Sequence, residues 1–193
     1  MSLSQLINDK LTDKNTTHSY LELYETILFR KKETAKYVLE IGIGDFGEKN
    51  GGSIKLWKDY FETAKIIAID ILPITSVIDE LINSERVTLY TETDAYNEEF
   101  IENNLVNQNI KFDFILDDGP HTLESMLKCI QLYSNILADD GILIIEDVQS
   151  WDWIAILENA VPENLKKYIK SYDLRQNKNR YDDIVFTIDK TTV

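Results

Sequence analysis

Two short acidic runs follow stretches that read as β-strands: Asp117-Asp118-Gly119-Pro120-His121 after Phe112–Leu116, and Glu146-Asp147 after Gly141–Ile145. Neighbouring parallel strands end about 4.8 Å apart, so pairing of these two strands would gather the four carboxylates with one of the chain's 2 histidines. Two carboxylates about 4 Å apart repel by about 4 kcal/mol at an effective dielectric of about 20. A bound cation, protonation or splaying apart of the acids would relieve that repulsion. Asp118, Glu146 and Asp147 offer only oxygen ligands, a set that suits Mg²⁺ ahead of Mn²⁺ or Ca²⁺. His121 adds an imidazole able to accept a hydroxyl proton near neutral pH. The chemistry these types support is cation-assisted activation of a hydroxyl group, with Asp117 orienting neighbours or facing a cofactor.

A second group lies upstream. Val38-Leu39-Glu40-Ile41-Gly42-Ile43-Gly44-Asp45-Phe46-Gly47 places a G-x-G-x-x-G spacing directly after a strand, where glycines let a ligand approach the backbone. The spacing of Gly42 and Gly44 alone would equally suit a nicotinamide or flavin dinucleotide. The acids Glu40, Asp45 and Glu48 around this loop are poor company for a pyrophosphate, and they favour a ligand with an amino group and a positive sulfur. Asp70, closing Ile66–Ile69, is spaced to accept both hydroxyls of a ribose, and Asp94 is spaced to receive an adenine amino group.

The elements that must position these residues are legible as an alternation. Predicted strands cover Tyr37–Ile43, Ile66–Ile71, Val87–Tyr90, Phe112–Leu116, Ile142–Glu146, Tyr168–Leu174 and Ile184–Asp189, with amphipathic stretches between. Leu123, Met126, Leu127, Ile130, Tyr133 and Leu137 form one such helical stripe. Tyr20, Leu23, Tyr24, Ile27 and Leu28 form another before the sheet, with Ser19 as its expected cap. This pattern predicts an α/β, Rossmann-like doubly wound fold: a mostly parallel seven-stranded sheet with a final antiparallel strand and an N-terminal helical extension. One domain is expected over 1–193, with the extension at 1–35 and the core at 36–193.

Composition narrows the partners. The net charge of −14 argues against nucleic acid, whose phosphates demand Lys and Arg. No stretch reaches the roughly 20 apolar residues that span a bilayer, and the polar start Met1-Ser2-Leu3-Ser4-Gln5 lacks signal-peptide character. The lone Cys129 fits a reducing setting. A cytoplasmic protein with a small-molecule substrate is expected.

The chain resembles class I S-adenosylmethionine-dependent methyltransferases, and within them the metal-dependent sugar O-methyltransferases of macrolide biosynthesis. The cephalosporin hydroxylase-like and rhamnosyl O-methyltransferase group is similar through the same motifs. Four segments carry the likeness: Thr12-Asp13-Lys14 with His18, Tyr20 and Tyr24-Glu25; Leu39–Gly44 with Gly51-Gly52-Ser53 and Ile54–Phe61; Asp117–His121; and Ile145-Glu146-Asp147. Pro120 departs from the serine usual in the acid-histidine box, and at 193 residues the sequence is expected to lack the large N-terminal domain of some macrolide enzymes.

The resemblance implies S-adenosylmethionine and Mg²⁺ as cofactors. It implies Asp118, Glu146 and Asp147 as metal ligands, and His121 as general base. Glu40, Gly42, Gly44, Ser53, Asp70, Asp94, Asp117, Lys14 and Tyr20 would lie on the cofactor side. It further implies a sugar or glycoside acceptor and self-association into a homo-oligomer. The alternatives are a catechol-like or amino acceptor, or an NAD-dependent or other nucleotide-binding Rossmann protein.

Overall fold

Buried β-branched runs and amphipathic runs alternate along the chain as strands and helices. The computed structural model describes residues 1–44 and 47–191, and these fall into two units, Met1–Asp94 and Ala95–Val193.

The first unit runs α1 (Leu3–Leu6), α2 (Leu21–Leu28), β1 (Tyr37–Ile41), α3 (Gly52–Tyr60), β2 (Lys65–Ile69), α4 (Asp79–Ile82) and β3 (Val87–Tyr90). Its strands lie in the order β3-β2-β1, all parallel, with Tyr37 beside Lys65 and Ile66 beside Val87. Val38–Ile41 and Ile66–Ile69 are buried throughout, as strands covered on both faces must be. β1 ends at Ile41, two residues short of the expected end, because Gly42 turns the backbone to φ 95°.

α3 buries Ile54, Leu56, Trp57 and Tyr60, each contributing roughly 1.5–3 kcal/mol of hydrophobic stabilisation. Its first turn admits no side chain at Gly52, where a Cβ would come within 2.1 Å of the Leu11 carbonyl oxygen. The N-terminal extension therefore packs by its backbone on the start of α3.

α2 corrects one expectation. Tyr20, not Ser19, occupies the N-cap, without a side-chain capping bond. The chain enters this helix through a turn in which the Tyr20 amide donates to the Lys14 carbonyl at 3.1 Å, so entry needs no serine cap.

The second unit runs α5 (Glu98–Ile101), β4 (Phe112–Asp117), α6 (Leu123–Tyr133), β5 (Leu137–Ile145), α7 (Trp153–Ala160), β6 (Ile169–Asp173), α8 (Arg175–Lys178) and β7 (Ile184–Asp189). The strand order is β4-β5-β7-β6. β4 and β5 are parallel, while β7 runs antiparallel to both β5 and β6. β7 is thus the final antiparallel strand predicted.

α6 starts where Thr122 Oγ1 accepts the Ser125 amide at 3.1 Å in a capping box, a device that satisfies otherwise orphaned amides. It stops at Tyr133, so Leu137, expected on the helical stripe, instead opens β5. The apolar period overran because Ile136 and Leu137, which continue its spacing, are buried here outside the helix. Among the described residues no helix is long and apolar enough to cross a membrane.

Candidate functional site

The ends of β4 and β5 lie side by side, with Asp117 paired to Ile145. One further rung forms where the Glu146 amide donates to the Asp117 carbonyl at 3.1 Å. Beyond it the chains turn sharply: His121 has φ 55° and Asp147 φ 52°. For residues with a Cβ this left-handed backbone costs of order 1–3 kcal/mol, and such strain clusters at functional sites.

The turns bring Asp118, His121 and Asp147 together, with one potential ligand atom from each lying within 4.8 Å of the others. His121 Nε2 stands 3.7 Å from Asp118 Oδ1 and 3.6 Å from Asp147 Oδ2. Those gaps exceed hydrogen-bond length. The arrangement fits a hard divalent cation, since two converging carboxylates supply charge and oxygen donors while leaving positions for water and substrate. Glu146 is 1% exposed and stands outside that trio. The sequence grouped Glu146 with the two aspartates as ligands, and the trio here adds His121 to those aspartates.

Asp117 is buried behind these residues. Its Oδ1 accepts the Tyr96 hydroxyl at 2.6 Å. Burial pushes its carboxyl up to about 6, the Asp118 charge adds to that, and the Tyr96 hydroxyl, the Cys129 thiol and His121 pull the other way. Burial and the Asp117 charge in turn hold the Tyr96 hydroxyl and the Cys129 thiol well above their ordinary ranges. Tyr96 and Cys129 are thus partners that sequence reasoning missed. Cys129 read only as a packed helix position, and no local pattern announces Tyr96.

In the first unit, Gly42 and Gly44 adopt φ 95° and 120°, which non-glycine residues rarely reach. Glu40 is wholly buried, and its oxygens accept from Ser53 Oγ at 2.7 Å and Trp57 Nε1 at 2.6 Å. Two expected cofactor residues, Glu40 and Ser53, are therefore joined to each other. Asp70 accepts the Ile43 amide at 2.5 Å and the Leu72 amide at 2.9 Å, tying the glycine loop to the end of β2. Carboxylate oxygens so held keep lone pairs for further donors such as ribose hydroxyls.

Asp94 is exposed; it follows Thr93, whose amide donates to the Asp70 carbonyl at 2.9 Å. Lys14 and Tyr20 are buried and meet through the backbone bond at the start of α2. Tyr20 also joins an aromatic series, stacked on His18 at 4.9 Å and followed by Tyr24 and Trp57. Asp45 lies outside the described residues.

Lys49 was not foreseen. Its Nζ donates to the carbonyls of Thr75 and Val77 and to Asp79 Oδ1 at 3.1–3.2 Å, pinning the far end of the loop.

Comparison with solved structures settles the architecture. The chain aligns with the MycE methyltransferase of the mycinamycin biosynthetic pathway, solved with Mg, SAH and mycinamycin VI, at a TM-score of 0.75 and 19% identity, over 98% of this chain and 53% of that one. The fold is that of the class I S-adenosylmethionine-dependent methyltransferases.

Curated relatives of the chain are sugar O-methyltransferases. The 8-demethyl-8-(2-methoxy-alpha-L-rhamnosyl)-tetracenomycin-C 3'-O-methyltransferase of Streptomyces olivaceus is 26% identical over 133 residues, 68% of this chain and 32% of its own. The mycinamicin VI 2''-O-methyltransferase of Micromonospora griseorubida is 30% identical over 128 residues, 65% of this chain and 30% of its own. The chain thus spans about a third of the length of the curated relatives it matches. No protein-family model matches it.

Proposed function

We propose that the chain transfers a methyl group from S-adenosylmethionine to a sugar hydroxyl in a Mg²⁺-dependent reaction. The observation that carries this reading is the convergence of Asp118, His121 and Asp147 at the ends of β4 and β5, supported by relatives whose names specify methylation of sugar hydroxyls.

The first unit supplies the cofactor side: Gly42 and Gly44 give close backbone approach, Asp70 offers acceptors for ribose hydroxyls, and Glu40 with Ser53 and Trp57 stiffens the loop's root. Lys14, Tyr20, Asp94 and Asp117 complete the proposed cofactor set. The bound sulfonium cofactor supplies the electrophilic methyl group, and a cation held by Asp118, Glu146 and Asp147 supplies Lewis acidity that makes a hydroxyl easier to deprotonate.

His121 then takes the hydroxyl proton at Nε2. A base so placed contributes roughly 10²–10⁴-fold to rate. The acceptor is a small glycoside or deoxysugar. The net charge of −14 is ill-suited to nucleic acid, and the reading extends to a cytoplasmic enzyme that self-associates.

The test is methyl transfer from labelled S-adenosylmethionine to a panel of glycosides, catechols and amines, with and without EDTA. Glycoside methylation abolished by EDTA supports the reading. Transfer to catechols or amines alone, or thermal stabilisation by NAD and not by S-adenosylhomocysteine, would replace it.

His121→Ala separates base from ligand. It is expected to lower turnover about 10³-fold while Mn²⁺ still binds. Loss of Mn²⁺ binding in that variant would make His121 a ligand and reassign Glu146.

A further inference from the structure

The left-handed turn at Asp147 is bonded within itself and then tied to a distant loop. The Gln149 side-chain amide donates Nε2 to the Asp147 carbonyl at 2.9 Å. That carbonyl can only accept, so Gln149 must present its nitrogen inward and its oxygen outward. On the outer side, Gln149 Oε1 accepts the Tyr181 hydroxyl at 2.9 Å. Tyr181 lies in the loop between α8 and β7 and is 63% exposed, so burial does not account for where its ring sits. The next residue along from Asp147 is also fixed, because the Val148 amide donates to the Ile184 carbonyl at 3.1 Å.

From this chain of bonds we infer that Gln149 and Tyr181 are positioning residues for the cation site, with Tyr181 acting through Gln149. The inference rests on the reading of Asp147 as a cation ligand. A carboxylate on a strained turn relaxes when its support is lost, and the oxygen it offers moves away from Asp118. Groups that hydrogen-bond a ligand's own side chain typically change metal affinity 10–100-fold when removed, and Gln149, which holds the Asp147 backbone instead, belongs at the low end of that range. Tyr181 is attached one step further out, so its share is smaller. The two effects are not independent: without Gln149, Tyr181 has no route to Asp147.

The experiment titrates the full chain with Mn²⁺ alone, following free Mn²⁺ by electron paramagnetic resonance. Gln149→Leu keeps side-chain bulk and removes both bonds; it is expected to weaken Mn²⁺ binding about tenfold or more. Tyr181→Phe, at an exposed position where folding is not at stake, is expected to weaken it about threefold, and the double variant should match Gln149→Leu alone. The melting temperature of the EDTA-treated protein should stay unchanged in all three, which a merely structural role would not predict.

Wild-type affinity retained in both single variants overturns the inference while leaving the cation site standing. Additive losses in the double variant overturn the claim that Tyr181 acts through Gln149. A wild-type protein that binds no Mn²⁺ overturns the cation reading, and this inference with it.

Discussion

Glu40 and Asp117 are both buried acids on parallel strands that lead into candidate site loops, and the chain treats them in opposite ways. Glu40, on β1 of the first unit, has a strong donor on each oxygen, Ser53 at 2.7 Å and Trp57 at 2.6 Å. Asp117, closing β4 of the second unit, has the Tyr96 hydroxyl on Oδ1, sits beside Asp118, and has its carboxyl raised to about 6. A buried carboxylate whose acceptors are met acts as a strut between elements. One whose burial, with a like charge beside it, outweighs its donors is held away from its ordinary ionisation, a condition that clusters at functional sites. The difference separates an acid that builds the fold from one set beside the proposed chemistry, though both were expected on the cofactor side in sequence.

The comparison is sharpest where function and stability should part. Asp147→Asn and Asp118→Asn each remove a charge but little volume from the converging trio. Each is expected to lower turnover about 10³-fold, or roughly 4 kcal/mol of transition-state stabilisation. The melting temperature in EDTA should not fall, because like-charge repulsion of a few kcal/mol has been relieved. A large drop in melting temperature would show that these acids also hold the fold.

Glu40→Ala should do the reverse. It leaves the Ser53 hydroxyl and the Trp57 indole N–H buried without their acceptor, at about 1–3 kcal/mol each. The expected loss is about 4 kcal/mol, a fall in melting temperature on the order of 10 °C. Unchanged melting with lost S-adenosylhomocysteine affinity, read by calorimetry, would break the contrast and make Glu40 a direct ligand.

The part of this arrangement legible in sequence is the part set by short-range pattern. Buried strands followed at once by Asp117-Asp118 and Glu146-Asp147 could be read because parallel pairing puts successive strand ends together, and the glycines at 42 and 44 could be read because only glycine readily takes their backbone angles. The supports could not. Tyr96 and Cys129 reach Asp117, Tyr181 reaches Gln149, and Lys49 reaches the Thr75 and Val77 carbonyls, all across tertiary contacts that leave no spacing in the chain. His121 was expected to gather with the strand-end acids, and its left-handed backbone sets it beside Asp118 and Asp147. Propensity also gave way locally: Leu137 continues a helical stripe but belongs to β5.

The smallest expected effect concerns Asp117 itself. Its folded carboxyl titrates near 6, above its ordinary value of 3.8, so the folded state binds a proton that the unfolded state has released between those values. Stability from this group is therefore fully present below about pH 3.8 and is lost as pH rises through about 6, by at most about 3 kcal/mol. Urea denaturation in EDTA at pH 5 and pH 7.5 should show the wild type losing stability across that interval relative to Asp117→Asn, which has no proton to lose. Parallel behaviour of the two proteins would mean that Tyr96 and Cys129 stabilise the ionised form as well as Ser53 and Trp57 serve Glu40, and the two acids would then be alike. Repeating the series with Mg²⁺ sharpens the point. A cation beside Asp118 offsets the charge that helps raise Asp117, so the interval over which stability is lost should shift to lower pH, whereas a site that binds no cation leaves it in place.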